Sequence, residues 1–175
     1  MTTPRVGGRH CLTHGRKTGE TSARYAGRMS ETTLTARAET TGGMNFYTRK
    51  WVRPEDLNAN GSLFGGSLLR WLDEEAAIYA IVQLGNHRVV TKLISEIEFE
   101  SSAREGDIIE MGLVATHFGR TSLTMRAKVR NMITRRVILS IDRLVFVGVD
   151  EFGTPMPHGY TTITYKRDRM TAENG

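Results

Sequence analysis

The sequence lacks both a long apolar run and the cysteines needed for a disulfide. Its longest apolar stretch, residues 78–84, is interrupted by Gln83. This stretch is much shorter than the roughly 20 residues that a transmembrane helix needs. The single cysteine, Cys11, cannot pair within the chain, and there is no cysteine cluster with metal-ligand spacing. We therefore expect a soluble protein that suits the reducing cytoplasm and has no membrane partner.

Several catalytic and metal-binding motifs are also missing. The five histidines show no metal-ligand spacing within a predicted element. The Gly-x-Ser-x-Gly motif of serine hydrolases is absent, and the glycine loop at residues 60–62 does not end in Gly-Lys-Ser/Thr. These absences argue against a metal, against a serine or cysteine nucleophile, and against a Walker-type phosphate loop.

Most of the positive charge lies near the start of the chain. The net charge is +5, and residues 1–43 contain seven basic and three acidic residues. This segment is rich in Thr, Gly and Ser and has no apolar periodicity, which predicts a disordered basic extension. Three interpretations stay open: a non-folding extension or an upstream start with Met44 as the true first residue, a targeting peptide, or a basic arm for nucleic acid. The rest of the chain carries only +1, so we expect no nucleic-acid partner for the folded domain.

From residue 44 onward the pattern is that of a folded domain. Aromatic and β-branched residues predict a first strand over residues 44–52. Residues 67–84 predict a helix that is apolar on nearly every side. Period-two alternation and a Gly119-Arg120 turn then predict four antiparallel strands, over residues 92–100, 108–117, 121–130 and 136–149.

This order of elements predicts an α+β fold in which a curved antiparallel sheet wraps around one long central helix. A helix buried on every side needs more cover than one such sheet provides, so we predict a dimer. The predicted domain spans residues 44–165 and is followed by a flexible tail over residues 166–175.

Two features of the predicted helix suggest a reaction site. Gly65 and Gly66 let the backbone approach a ligand beside amides that have no intrahelical acceptor, although glycines there could equally serve tight helix–sheet contact. Asp73 shares a helix face with apolar residues three and four positions away, whereas Glu74 lies four residues after Arg70 and can form a solvated pair. A solvated outer face therefore explains Glu74 better than Asp73. We take Asp73 as the leading candidate for a general base or nucleophile.

A longer motif surrounds these residues. The segment RPEDLNANGSLFGG at residues 53–66, followed by LLRWLDEEAA, resembles the signature of the acyl-CoA hydrolases of the hotdog-fold thioesterase superfamily. The resemblance runs from about residue 45 to residue 148 and includes residues 88–91 and 119–122. Ser102 departs from it, because the family often has proline there. The resemblance implies a hotdog fold and hydrolysis of an acyl-CoA thioester to a carboxylic acid and CoA, with no separate cofactor.

The resemblance also implies a role for each matching position. Asp73 corresponds to the catalytic carboxylate and Asn58 to the catalytic asparagine, contributed by opposite subunits of a homodimer. Gly66, beside Gly65, corresponds to the residue whose amide polarises the thioester carbonyl. Because a thiolate is a good leaving group, such a site needs no histidine-dependent triad. The implied CoA contacts are Arg88 together with the turn Gly119, Arg120, Thr121 and Ser122.

Two other functions would fit the same fold. A non-catalytic acyl-CoA-binding protein would share the fold, but the presence of both Asp73 and Asn58 argues against it. A dehydratase or hydratase would need a histidine at the helix mouth, and none lies between residues 61 and 86. The sequence leaves open the acyl chain length, whether Asp73 is base or nucleophile, and whether the dimers form a trimer of dimers.

Overall fold

The computed structural model describes residues 43–166 and 168–170. The predicted disordered extension lies outside these residues, except for residue 43. Within the described part of the chain, no helix is long and apolar enough to cross a membrane. The elements in chain order are β1 (Asn45–Trp51), a 3-10 helix (Pro54–Asp56), α1 (Gly65–Leu84), β2 (Val89–Ile94), β3 (Ile97–Phe99), β4 (Ile108–Phe118), β5 (Ser122–Asn131) and β6 (Val137–Gly148).

All six strands belong to one antiparallel sheet, and α1 lies against β2, β4, β5 and β6. The strand order is β1-β4-β5-β6-β2, and β3 also pairs with β6. Buried helix residues recur at intervals of three and four, as in Leu68, Trp71, Leu72 and Ala76, and they pack against the apolar core. The predicted arrangement of one long helix on a curved antiparallel sheet is confirmed.

The prediction of one half-buried strand over residues 92–100 is wrong. Two strands, β2 and β3, occupy this region, and the β2–β6 pairing shifts register between Thr91 and Leu93. This shift lies at the start of the predicted strand, and from Leu93 to Phe99 both strands keep one register with β6, so only the pairing at residues 95–96 is interrupted. β2 is also the edge of the sheet, so Leu93 is 37% exposed in the protomer. In the protomer alone, as expected, one sheet does not cover α1 on every side, since Ile78 is 50% exposed.

The residues after β6 fold back onto the end of α1. The buried side chain of Gln83 donates to the Thr164 carbonyl (2.7 Å) and accepts from the Thr164 amide (2.9 Å). Gly85 ends the helix in the left-handed conformation (φ 60°), and a Cβ there would lie 2.5 Å from the Arg169 carbonyl oxygen. Glycine at this position therefore lets the returning chain approach the helix closely. Residues 167 and 171–175 of the predicted tail lie outside the described residues.

The Tyr79 hydroxyl completes the hydrogen bonding of β4 at an irregular point. The β4–β5 register shifts between Ala115 and His117, and the Ala115 amide donates to the Tyr79 hydroxyl (3.2 Å). Burial raises the pKa of the Tyr79 hydroxyl, and the hydrogen bond from Ala115 opposes this shift. The buried amide thus finds on α1 the acceptor that it would otherwise lack.

Replacing Tyr79 with phenylalanine is expected to lower the free energy of unfolding by about 1–2 kcal/mol, because the ring is kept while the buried Ala115 amide loses its acceptor. Urea denaturation measures this difference. As a control, Tyr47→Phe removes a hydroxyl from a side chain that is 67% exposed. That change should alter stability by less than about 0.5 kcal/mol. Equal stability of Tyr79→Phe and the wild type would contradict the assigned role of the hydroxyl.

Candidate active site

The loop before α1 holds Asn58 in one orientation. Its side-chain oxygen accepts from the amides of Asn60 (2.8 Å) and Ser62 (3.3 Å), and its side-chain nitrogen donates to the Ser62 hydroxyl (3.0 Å). A backbone bond from the Asn58 amide to the Ser62 carbonyl (2.8 Å) closes the loop. Asparagine favours such turns because its short side chain can bond the backbone two residues on. The Asn58 side chain is therefore part of the loop framework.

The start of α1 has no side-chain cap. Phe64 at the N-cap position provides no side-chain hydrogen bond, and the first turn contains no acidic residue. The Leu68 amide bonds back to the Phe64 carbonyl (3.2 Å), which leaves the amides of residues 65–67 without an intrahelical acceptor. These amides carry the partial positive charge of the helix end. This end of α1 is thus chemically suited to bind a polarised or anionic oxygen.

Aromatic rings border both glycines at this helix end. A Cβ on Gly66 would lie 2.6 Å from the Phe64 ring, and a Cβ on Gly65 would lie 3.3 Å from the Phe99 ring. A side chain at Gly66 would have to displace the Phe64 ring, and one at Gly65 would be in tight contact with the Phe99 ring. The absence of side chains at Gly65 and Gly66 therefore keeps the amides accessible between Phe64 and Phe99.

A cleft of about 370 Å³ lies at the start of α1. Asn58 and Gly65 both line it, together with Phe99 and Ser102. The structure thus brings two of the sequence-predicted site residues, Asn58 and Gly65, to one cleft. It also places Ser102, the position that departs from the family pattern, in the cleft wall.

Asp73 lies elsewhere on the helix. It is half-buried, and its Oδ1 accepts a hydrogen bond from the Thr91 hydroxyl on β2 (2.9 Å). Asp73 lies seven positions after Gly66. Since an α-helix rises 1.5 Å per residue, the two positions are about 10 Å apart along the axis. Within one protomer, the carboxylate is therefore two turns away from the helix start.

Thr91 is a further candidate site residue that sequence reasoning missed. It lies 18 residues after Asp73 and on a different element, so helical spacing gave no reason to pair the two. Its only signal was membership of the matched segment 88–91. Its hydroxyl fixes one carboxylate oxygen of Asp73, and in the described part of the chain no donor contacts the other oxygen.

The predicted CoA contacts meet at the end of β6. The Gly148 amide donates to the Thr121 carbonyl (3.0 Å), and the next amide, of Val149, donates to the Arg88 carbonyl (2.9 Å). The turn between β4 and β5 and the start of β2 therefore flank the same end of β6. Arg88 and Arg120 are both exposed there. Two cationic side chains from distant parts of the sequence thus lie around one sheet end.

The turn itself is tight. The Gly119 amide donates to the Ser122 carbonyl (2.8 Å). A Cβ on Gly119 would lie 2.5 Å from the Ser122 hydroxyl oxygen. Glycine at position 119 therefore allows Ser122 to fold back across the turn. Among the residues that the structure describes, no group of three or more His, Cys, Asp or Glu side chains is placed to hold a metal ion.

Comparison with known proteins identifies relatives of the folded part of the chain. The family model of the thioesterase superfamily matches residues 60–138. An uncharacterized acyl-CoA thioester hydrolase of Buchnera aphidicola is 32% identical over 113 residues, which cover 61% of this chain and 83% of that protein. The family match covers α1 and strands β2 to β5.

Solved structures give the same result. A hexameric acyl-CoA thioesterase is 33% identical, with a TM-score of 0.59 over 70% of this chain and 79% of that one. The acyl-CoA hydrolase of Staphylococcus aureus, solved with butyryl-CoA and CoA, is 28% identical, with a TM-score of 0.58 over 63% of this chain and 66% of that one. The S. aureus enzyme was also solved as three separate alanine variants, of an asparagine, a threonine and an aspartate. With one relative 32% identical over most of its length and these structures sharing its fold, the chain belongs to the acyl-CoA thioester hydrolases of the thioesterase superfamily.

Proposed function

We propose that this enzyme hydrolyses acyl-CoA at a site shared by two protomers, in which Asp73 of one protomer acts on a carbonyl held by the α1 amides of the other. The observation that carries this proposal is the separation of about 10 Å between Gly66 and Asp73 along one helix. A water that contacts both the carboxylate and the carbonyl carbon needs those groups within a few ångströms. In a dimer, each protomer can place its Asp73 beside the helix start of the other protomer.

The amides of residues 65–67 are suited to hold the thioester oxygen. They lie at an uncapped helix end, beside a cleft that is lined by Asn58 and Gly65. When water adds to the carbonyl, negative charge develops on this oxygen, and fixed amide dipoles stabilise it more than they stabilise the neutral substrate. Gly66 matches the residue that the family resemblance implies for this role.

Asp73 is assigned to activate the water. Thr91 anchors one carboxylate oxygen, which leaves the other to accept a proton from water as the water attacks the carbonyl carbon. The tetrahedral intermediate then collapses, the carbon–sulfur bond breaks, and CoA leaves as a thiolate that takes up a proton. Asn58, held by its loop at the cleft, is assigned to orient the water or the carbonyl.

The spacing of the substituted residues in the S. aureus enzyme supports these assignments. The asparagine and the aspartate replaced there lie 15 positions apart in that chain. Asn58 and Asp73 are also 15 positions apart. The two residues thus have the same separation as a pair chosen for substitution in a related acyl-CoA hydrolase.

The surface of the protomer supports pairing with a second copy. β2 forms the edge of the sheet and leaves Val90 47% and Ile94 40% exposed, while Ile78 on α1 is 50% exposed. An open strand edge with apolar side chains is a surface that proteins usually cover. We assign it to a homodimer contact. Related thioesterases have been solved as hexamers, and a trimer of such dimers has that number of chains.

The CoA portion of the substrate is assigned to the end of β6. Its phosphates would meet Arg88 and Arg120, and the turn of residues 119–122 would line its channel. Guanidinium groups bind phosphate oxygens through paired hydrogen bonds. Both arginines are exposed and held near each other by the backbone.

Mixing two inactive variants tests the shared site. Asp73→Asn lacks the base, and Asn58→Asp lacks the amide donors but keeps the side-chain oxygen that holds the loop. In a heterodimer of the two, one site would contain an intact Asp73 and an intact Asn58. Co-expression in equal amounts is expected to restore about a quarter of wild-type thiol release, because half of the dimers would carry one intact site of two.

Controls decide how this result is interpreted. Each variant alone should be nearly inactive, and separately purified homodimers measured immediately after mixing should stay so until subunits exchange. No recovery in a co-expressed sample that contains verified heterodimers would mean that one protomer supplies both residues. No activity of the wild type on any acyl-CoA would refute the proposed function itself.

A further inference from the structure

We propose that residues 156–166 and 168–169, called here the C-terminal strap, position the turn of residues 119–122 for the nucleotide end of CoA. The inference rests on the proposed function, since it concerns how the same substrate is bound. The strap lies beyond residues 60–138, which the family model matches. Its role is therefore argued from the contacts of this chain alone.

One end of the strap is attached to the end of α1. Thr164 exchanges two hydrogen bonds with the buried Gln83 side chain. The Arg169 guanidinium donates to the Gln83 carbonyl (2.7 Å) and to the Thr162 carbonyl (2.7 Å). A cation at a helix C-terminus is stabilised by the unpaired carbonyls there. Arg169 thus bonds the strap to the end of α1 and also links two parts of the strap to each other.

A row of stacked side chains leads from this anchor to the turn. The Arg169 guanidinium lies 4.2 Å from the Tyr160 ring centroid. Tyr160 and His158 are stacked with centroids 6.1 Å apart and planes 15° apart, and the His158 ring meets the edge of Phe118, also at 6.1 Å. Phe118 is the last residue of β4, immediately before Gly119. The row therefore connects the end of α1 with the start of the turn.

The strap also bonds directly to the turn. The His158 amide donates to the carbonyl of Arg120 (3.3 Å), the residue assigned to a CoA phosphate. The His158 Nδ1 accepts from the Tyr160 amide (3.1 Å), and its buried Nε2 has no partner among the described residues. The ring thus contributes mainly through packing, and its packing keeps the His158 backbone beside Arg120.

The strap begins close to the other assigned cation. The Met156 amide donates to the Gly148 carbonyl (2.9 Å), next to the bond between the Val149 amide and the Arg88 carbonyl (2.9 Å). Both arginines are therefore tied to the chain that follows β6. An exposed turn without such supports would have to be ordered when the substrate binds, and that ordering would weaken binding.

The test compares two substrates in wild type, His158→Ala and His158→Phe. The substrates are an acyl-CoA that the wild type hydrolyses and the matching acyl-pantetheine, which lacks the nucleotide. His158→Ala is expected to raise KM for the acyl-CoA about tenfold, with kcat changed less than about twofold, because the turn loses its support. KM for the acyl-pantetheine should not change. His158→Phe keeps a ring between Phe118 and Tyr160 and should retain a near wild-type KM for both substrates.

Any other outcome contradicts the proposed role of the strap in positioning the turn. An equal rise of KM for both substrates, or a fall in kcat alone, would show general damage and overturn the proposal, as would an unchanged KM for the acyl-CoA. If His158→Ala does not fold, the same comparison on Arg169→Met decides, with an expected rise of about threefold for the acyl-CoA only. If the wild type hydrolyses acyl-CoA but the variants show no substrate-specific rise of KM, the strap proposal fails and the proposed function stands. Absence of wild-type hydrolysis would remove the proposed function instead.

Discussion

Replacing Asp73 with asparagine is expected to lower kcat by about a thousandfold, because the change removes the proton acceptor while keeping the side-chain volume. The hydrogen bond with Thr91 can persist, since the amide oxygen still accepts from the hydroxyl. The protein should therefore stay folded. The measurement is free-thiol release from short-, medium- and long-chain acyl-CoAs, which also reports the chain-length preference.

Glu74 provides the matched control for this experiment. It is the next residue on the same helix and is exposed, whereas Asp73 is half-buried beside Thr91. Glu74→Gln makes the same chemical change on the solvent side and should leave kcat within about twofold of wild type. The assignment of Asp73 fails if Asp73→Asn keeps more than about a tenth of wild-type turnover on every acyl-CoA that the wild type hydrolyses.

Replacing Glu110 with alanine is expected to lower the free energy of unfolding by about 3–5 kcal/mol, because it strands a buried cation. Glu110 lies on β4 with a side chain only 3% exposed, and its Oε1 accepts from Arg130 (2.6 Å) and from Arg135 (2.6 Å). The Arg130 side chain is 10% exposed and its guanidinium packs 3.8 Å from the centre of the Phe46 ring. This network therefore joins β1, β4, β5 and the β5–β6 turn.

Urea denaturation followed by circular dichroism measures this loss. Arg136→Ala is a suitable control because it removes an exposed cation from the same β5–β6 turn. It should change stability by less than about 0.5 kcal/mol. A loss of less than about 1 kcal/mol for Glu110→Ala would mean that Arg130 finds other solvation, and the network would then contribute little to stability.

Local patterns were enough to predict the regular parts of the fold. The β4–β5 hairpin follows from alternation on either side of Gly119-Arg120, and the helix follows from its length and composition. The break between β2 and β3 could not be predicted in this way. The register shift after Thr91 and the edge position of β2 depend on pairing with β6, which is more than 40 residues away in the sequence.

In the candidate site, too, local sequence patterns identified some residues and only tertiary contacts identified others. Asn58, Gly66 and Asp73 stand within one short segment, where the motif and helical spacing single them out. Their roles remain predictions for the experiments above. Thr91 was not found because its contact with Asp73 joins a helix to a strand. The spacing of residues within one element gives little information about contacts between two elements.

The sequence by itself determined the chemistry available to this protein: a carboxylate on an apolar helix, glycines at the helix start, and an asparagine loop. These properties depend on residue type and on spacing of a few positions, which the chain defines locally. Only the tertiary structure decided which of these groups meet. It placed Asn58 and Gly65 at one cleft, brought Thr91 of β2 to Asp73, and gathered Arg88, Arg120 and the C-terminal strap at the end of β6. Such contacts arise from the pairing of strands and the packing of the helix, and these join residues far apart in the chain.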